Sequence, residues 1–136
     1  DRSNAHALAR YSALVQECNM VPIVEPEVLM DGDHSAKDCF LKTSEVIKKC
    51  FEELILHKVD LKGIILKPNM ILAGNECRDK ISNDEVAKLT LECLKKNVPI
   101  LGVIDIPILD QRWSGGKKIG VKLNNKKCDP FCKKKK

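Results

Sequence analysis

The apolar residues of this chain fall into two alternating kinds of pattern. Over residues 4–17, NAHALARYSALVQE, the positions Ala7, Leu8, Tyr11, Leu14, Val15 and Cys18 recur at helical spacing. Asn4 is placed to cap the start. VPIV, 21–24, then reads as a short buried strand. DGDHS is a polar turn in which Asp33 or Ser35 can cap a following helix. From Ala36 to about Lys58 the residues Phe40, Ile47, Phe51, Leu54 and Ile55 return every three or four positions, an amphipathic helix. LKGIILKPN, 61–69, is a continuous apolar run closed by Pro68-Asn69 and reads as a second buried strand. Ser82-x-x-Glu85 forms a capping box. It opens a helix to Lys96 with Ala87, Leu91 and Leu94 on one stripe. ILGVIDIPIL, 100–109, predicts a third strand.

Helices alternating with buried strands predict an α/β fold with a parallel sheet. Three strands can neither close a barrel nor cover both faces of a sheet, so the pattern reads as a piece of a larger fold. The start at Asp1, inside a helical pattern, points the same way. Nothing approaches the roughly 18 apolar residues of a membrane span. Seven cysteines are scattered among apolar positions, which favours free thiols in a reducing, cytoplasmic setting over a disulfide framework.

The net charge of +5 is unevenly distributed. Residues 117–136 hold nine lysines against Asp129, a net of +8, which leaves 15 basic and 18 acidic residues before them. The basic character therefore belongs to a lysine-rich, low-complexity tail that reads as disordered. The predicted organisation is a folded part over 1–116 and a tail over 117–136. A solvated tail is the plainer reading of such a lysine run, and a nucleic-acid partner the lesser one.

Chemistry concentrates at the strand ends. If extension continues past VPIV, then Ile23, Glu25 and Glu27 face one way, and in the next strand Ile65, Lys67 and Asn69 share a face. Ligands bind at strand C-termini in α/β folds. A lysine in an apolar strand end loses hydration and with it proton affinity. The neutral amine can attack a ketone to form a Schiff base, and a nearby glutamate can supply and retrieve the proton that dehydration needs. The separation of Glu25 and Lys67 suits one βαβ step. The plainer alternatives are a solvated Glu25–Glu27 turn and a Lys67 that snorkels to water. Asp31, Asp33 and His34 look like a metal cluster but more simply form a turn with a cap. Cys128 and Cys132 lack a second pair for zinc. His6 and His57 lie in helical segments and call for no special role.

VPIVEPEVLMDGDH, then LKGIILKPNMILAG, then SNDEVAKLTLECLKKNVP resemble class I fructose-bisphosphate aldolase, over about Asn4 to Pro99. The resemblance implies a partial (β/α)8 TIM barrel, about three βα units from helix 4 to strand 7. It implies a lyase that reversibly cleaves fructose 1,6-bisphosphate to dihydroxyacetone phosphate and glyceraldehyde 3-phosphate. Lys67 would be the Schiff-base nucleophile, Glu25 the acid/base, and Glu27 the second glutamate that tunes the lysine's charge. No metal or cofactor is implied, because the iminium serves as electron sink. The family works in the cytoplasm on a phosphorylated sugar and assembles as a homo-oligomer, a tetramer. Ser114 and Gly115 keep part of the family's phosphate-binding SGG, but later than its spacing from Lys67.

The likeness fades after Pro99, a change that an altered reading frame or gene decay would produce. The family's active-site groups on earlier strands, and its C-terminal tyrosine, are absent. The isolated chain is accordingly expected to be inactive or nearly so. Two alternatives stand beside this reading: a non-catalytic remnant with a basic tail for an acidic partner, and another Schiff-base aldolase or dehydratase on the same barrel.

Overall fold

The computed structural model describes residues 2–99 and the backbone of 103–104. The elements run α1 (Arg2–Glu17), β1 (Ile23–Val24), α2 (Ala36–Leu56), β2 (Ile65–Leu66), α3 (Asn83–Asn97) and β3 (Val103–Ile104), with a 3-10 turn over Leu61–Gly63 before β2. The strands form one parallel sheet in the order β1-β2-β3, with Ile23 opposite Ile65 and Val24 opposite Leu66. The predicted alternation and the parallel α/β class are both present. The remainder of the third predicted strand, the lysine-rich tail, Ser114 and Gly115 lie outside the described residues.

The helices begin where side chains satisfy free N–H groups. Ser35 Oγ accepts from the Asp38 N–H and the Asp38 carboxylate accepts from the Ser35 N–H; Ser82 and Glu85 repeat the arrangement on α3. Asp84 and Glu85 at the start of α3, and Lys95 and Lys96 at its end, complement the helix dipole. Asn4 lies inside α1, which already starts at Arg2, so it is not the cap that the sequence pattern offers.

Helices α1 and α2 end alike, with a residue at positive φ and a reversed pair of backbone bonds. At α1, Asn19 has φ 56°, its N–H bonds Gln16 O, and Met20 N–H bonds Val15 O. At α2, Lys58 has φ 56°, its N–H bonds Ile55 O, and Val59 N–H bonds Leu54 O. Each is a Schellman ending that turns the chain back toward a strand. Lysine in that conformation costs about 1–2 kcal/mol relative to a relaxed one.

One core joins all three helices to one face of the sheet. Val24 and Leu66 point into it, with Ala9 of α1, Ile47, Cys50, Phe51 and Leu54 of α2, and Leu94 of α3. The stripe read from sequence for α1 is not the packed one. Tyr11 and Leu14 are exposed among the described residues, while Ala5, Ala9 and Ser12 are buried. Small side chains let α1 lie close on α2, and Ser12 Oγ is satisfied internally by Leu8 O at 2.8 Å. Ile55 likewise faces outward although it fits the apolar period of α2. Thr43, Cys50 and Thr90 are buried as well, although none lies on the apolar stripes read for α2 and α3.

The second strand is shorter than the apolar run implied, because Leu61–Gly63 coil first. Gln16 holds that coil, its amide donating to Asp60 O and Gly63 O and accepting from the Asp60 N–H. Five cysteines among the described residues are free thiols, and burial raises the Cys50 thiol to about 11.

Beyond the strands, the DGDH turn docks onto the turn that follows β2. Gly74 N–H donates to His34 O, Asn75 N–H to Met30 O and Glu76 N–H to Gly32 O, all near 2.8–2.9 Å. Gly32 sits at φ 122°, and a Cβ on Gly74 would stand 2.2 Å from the Gly32 carbonyl oxygen.

Leu54→Ala is expected to cost about 2–5 kcal/mol of unfolding free energy, and Ile55→Ala less than about 0.5, measured by urea denaturation of each variant. Gly74→Ala, which must push two backbone segments apart, is expected to lower stability by about 1–3 kcal/mol in the same assay; an unchanged midpoint would contradict the docked turns.

Candidate active site

Burial alternates residue by residue through 21–27: Pro22, Val24 and Pro26 are buried, while Val21, Ile23, Glu25 and Glu27 are exposed. The extended pattern thus carries past β1, and proline on both sides of Val24 keeps the chain extended there. Glu25 and Glu27 share the sheet face opposite the helices. In the neighbouring strand Ile64, Leu66 and Pro68 are buried, while Ile65 and Lys67 are half-buried on that same opposite face.

The register then decides who meets whom. Ile65 N–H donates to Pro22 O at 3.0 Å and Lys67 N–H to Val24 O at 2.8 Å. One step beyond the last paired residues on each strand are Glu25 and Lys67. Lys67 Nζ donates to Glu25 Oε1 at 2.6 Å across 42 positions of sequence. The side chains are 43% exposed for Glu25 and 32% for Lys67. The contact is short and charge-assisted. It is also reachable from solvent, which a substrate would need.

The predicted companion Asn69 goes elsewhere. Its Nδ2 donates to Thr43 Oγ1 on α2 at 3.0 Å and to Met70 O, and its Oδ1 accepts from the Val28 N–H at 3.1 Å. The regular strand ends at Leu66, so side-chain alternation no longer holds two residues after Lys67. Asn69 instead ties the loop after β1 to the loop after β2. It steadies the site from beneath without facing the Lys67 amine.

The arrangement can carry a proton between nitrogen and carboxylate in one step. Transfer from Nζ to Oε1 leaves a nucleophilic amine and a protonated acid beside it. Asp31, Asp33 and His34 do not gather as a three-residue metal-binding group among the described residues. His34 Nδ1 lies instead against Gly74 in the docked turn.

A second cluster arises that the sequence reading passed over. His6 on α1 meets Glu53 on α2 and His57, which caps the C-terminal end of α2, with one donor atom from each within 4.8 Å of the others. The signal was present as Glu53-x-x-x-His57, one turn apart on a helix. What the sequence could not supply was the pairing of α1 with α2 that brings in His6.

The family described as Fructose-bisphosphate aldolase class-I matches residues 2–117. A probable fructose-bisphosphate aldolase class 1 of Xanthomonas campestris is 48% identical over 99 residues, covering 73% of this chain and 30% of that protein. Fructose-bisphosphate aldolase C of Carassius auratus is 48% identical over 96 residues, 71% of this chain and 26% of its own length. The solved fructose-bisphosphate aldolase of Plasmodium falciparum, in complex with TRAP and a small-molecule inhibitor, superposes with a TM-score of 0.71 at 43% identity, over 72% of this chain and 28% of that one. The chain spans under a third of the length of these relatives. Its three parallel strands and their helices are a section of the TIM barrel that the solved relative represents. By its match over most of its length, and by the close identity of these relatives, this chain belongs to the class I fructose-bisphosphate aldolase family.

Proposed function

We propose that this chain is the Schiff-base segment of an aldolase that reversibly cleaves fructose 1,6-bisphosphate into dihydroxyacetone phosphate and glyceraldehyde 3-phosphate. The observation that carries this reading is the 2.6 Å contact between Lys67 Nζ and Glu25 Oε1 at adjoining strand ends. The family membership supports the substrate class, a phosphorylated sugar.

In the proposed sequence, Lys67 passes a proton to Glu25 and attacks the C2 ketone as the free amine. The carbinolamine hydroxyl then takes the Glu25 proton and leaves as water, giving the iminium. Loss of the C4 hydroxyl proton to a base breaks the C3–C4 bond. The bonding pair enters the iminium, which becomes an enamine, and the aldehyde departs. Protonation of the enamine at C3 restores the iminium, and water releases dihydroxyacetone phosphate. Glu27, on the same face as Glu25, adds negative charge near the iminium and favours it over the neutral forms. Ser114 and Gly115 take a substrate phosphate through hydroxyl and backbone amide.

The division into a barrel segment over 1–116 and a lysine-rich tail over 117–136 belongs to this reading. So does a cytoplasmic parent, for which the free thiols among the described residues are the supporting observation, and a homo-oligomeric one, which rests on the family resemblance alone. No described helix is long and apolar enough to cross a membrane.

The test uses a chimaera in which residues 2–99 replace the matching segment of the Xanthomonas relative. Borohydride with dihydroxyacetone phosphate is expected to leave one reduced adduct, mapped to the peptide that holds Lys67. Lys67→Met removes the adduct and the activity; an adduct elsewhere, or with pyruvate in preference, overturns the assignment. Glu25→Gln is expected to slow adduct formation about 10²–10⁴-fold with the chimaera's melting temperature little changed. The 136-residue chain alone is expected to show no turnover of fructose 1,6-bisphosphate in a coupled assay.

A further inference from the structure

We propose that His6, Glu53 and His57 bind a divalent transition-metal ion of the zinc class and so clamp α1 to α2. The site lies within the helical layer, on the other side of the sheet from the Glu25–Lys67 pair.

The geometry is that of a ligand set. Glu53 Oε2 stands 3.3 Å from His6 Nδ1, and one donor atom from each of His6, Glu53 and His57 lies within 4.8 Å of the other two. In a tetrahedral zinc site with bonds of about 2.0–2.1 Å, neighbouring donor atoms are about 3.3 Å apart. The His6–Glu53 edge already has that length. The two imidazole rings meet edge to face with centroids 4.7 Å apart, so both lie against the same carboxylate. His57 Nδ1 is 2.8 Å from the Glu53 carbonyl oxygen, which can only accept. Nδ1 therefore carries the proton, and the lone pair resides on Nε2. A ligating histidine is commonly oriented in this way by a carbonyl on its other nitrogen.

Charge leads to the same place. The Glu53 side chain is 8% exposed, and a carboxylate so buried requires a compensating partner. Its partners are Arg2, whose side chain is 81% exposed, and His6, 56% exposed and charged only when protonated. Arg2 Nε donates to Oε1 at 3.2 Å and leaves Oε2 toward the imidazoles. Two imidazoles and one carboxylate suit zinc and its neighbours better than calcium or magnesium, which take oxygen. Three protein donors leave a fourth position for water.

The test is a titration of the full chain with Co²⁺, under a non-thiol-metal-binding phosphine reductant, followed by visible d–d absorption and by competition with Zn²⁺. One equivalent is expected to bind without the intense near-ultraviolet band of thiolate ligation, and Zn²⁺ is expected to raise the unfolding midpoint. The double variant His6→Ala, His57→Ala, which alters one exposed and one half-buried side chain, is expected to lose at least tenfold in affinity and the Zn²⁺-dependent shift. Glu53→Gln tests the carboxylate alone and is expected to lose a similar factor. Equal affinity in the double variant overturns the proposal. So does a thiolate band that accounts for all the bound cobalt, which would assign the metal to the cysteines.

Discussion

The parallel register between β1 and β2 is the constraint on which the rest depends. It is held by only a few backbone bonds, among them Ile65 N–H to Pro22 O and Lys67 N–H to Val24 O. Moving it by one residue would turn Lys67 away from Glu25 and Leu66 out of the core, because a strand's side chains alternate. The same register therefore sets both packing and chemistry. Leu66 and Val24 face the helices, and the next residue on each strand faces the opposite way and carries the charge.

Supports for that register surround it on the helix side and at the strand ends. The Schellman endings of α1 and α2 return the chain toward the sheet, and Gln16 holds the coil that enters β2. Past the strands, the Gly32 and Gly74 turns lock together through three backbone bonds, and Asn69 links both loops to α2 through Thr43. Two-residue strands are short for such a task. The loops make up for this by continuing the pairing of backbone groups beyond the strands themselves.

The sheet also explains why an apolar strand residue stands exposed. Ile23 is 50% exposed on the face that carries Glu25. Parallel sheets are ordinarily covered on both sides. In a closed barrel that face turns inward and is packed by side chains from the other strands. The chain spans under a third of its relatives' length, and in a whole barrel side chains from the other strands would pack this open face.

Much of this was legible in the residues. Ser82 marked a helix start because a hydroxyl followed three residues later by a carboxylate satisfies free N–H groups locally, whereas the cap of α2 was left between Asp33 and Ser35 until the structure showed Ser35 paired with Asp38. Val24, Leu66, Ile47 and Leu54 were readable as core because their spacing matches a strand or helix period. Glu25 and Lys67 were readable as candidates because a charge at the end of an apolar run is expensive without a use. Local chemistry, however, does not choose partners. Which face of α1 packs was decided by the close approach of Ala5, Ala9 and Ser12 to α2, and the larger Tyr11 and Leu14 were left outside. Asn69 left the lysine's face once the strand ended, and His6 met Glu53 and His57 only because α1 lies on α2. The sequence by itself determined the elements, their parallel order and the chemical groups at the strand ends, since these follow from short-range periodicity and capping. Only the tertiary structure decided the 2.6 Å meeting of Lys67 with Glu25 and the gathering of two histidines on one buried carboxylate, since both require distant segments to share one register and one interface.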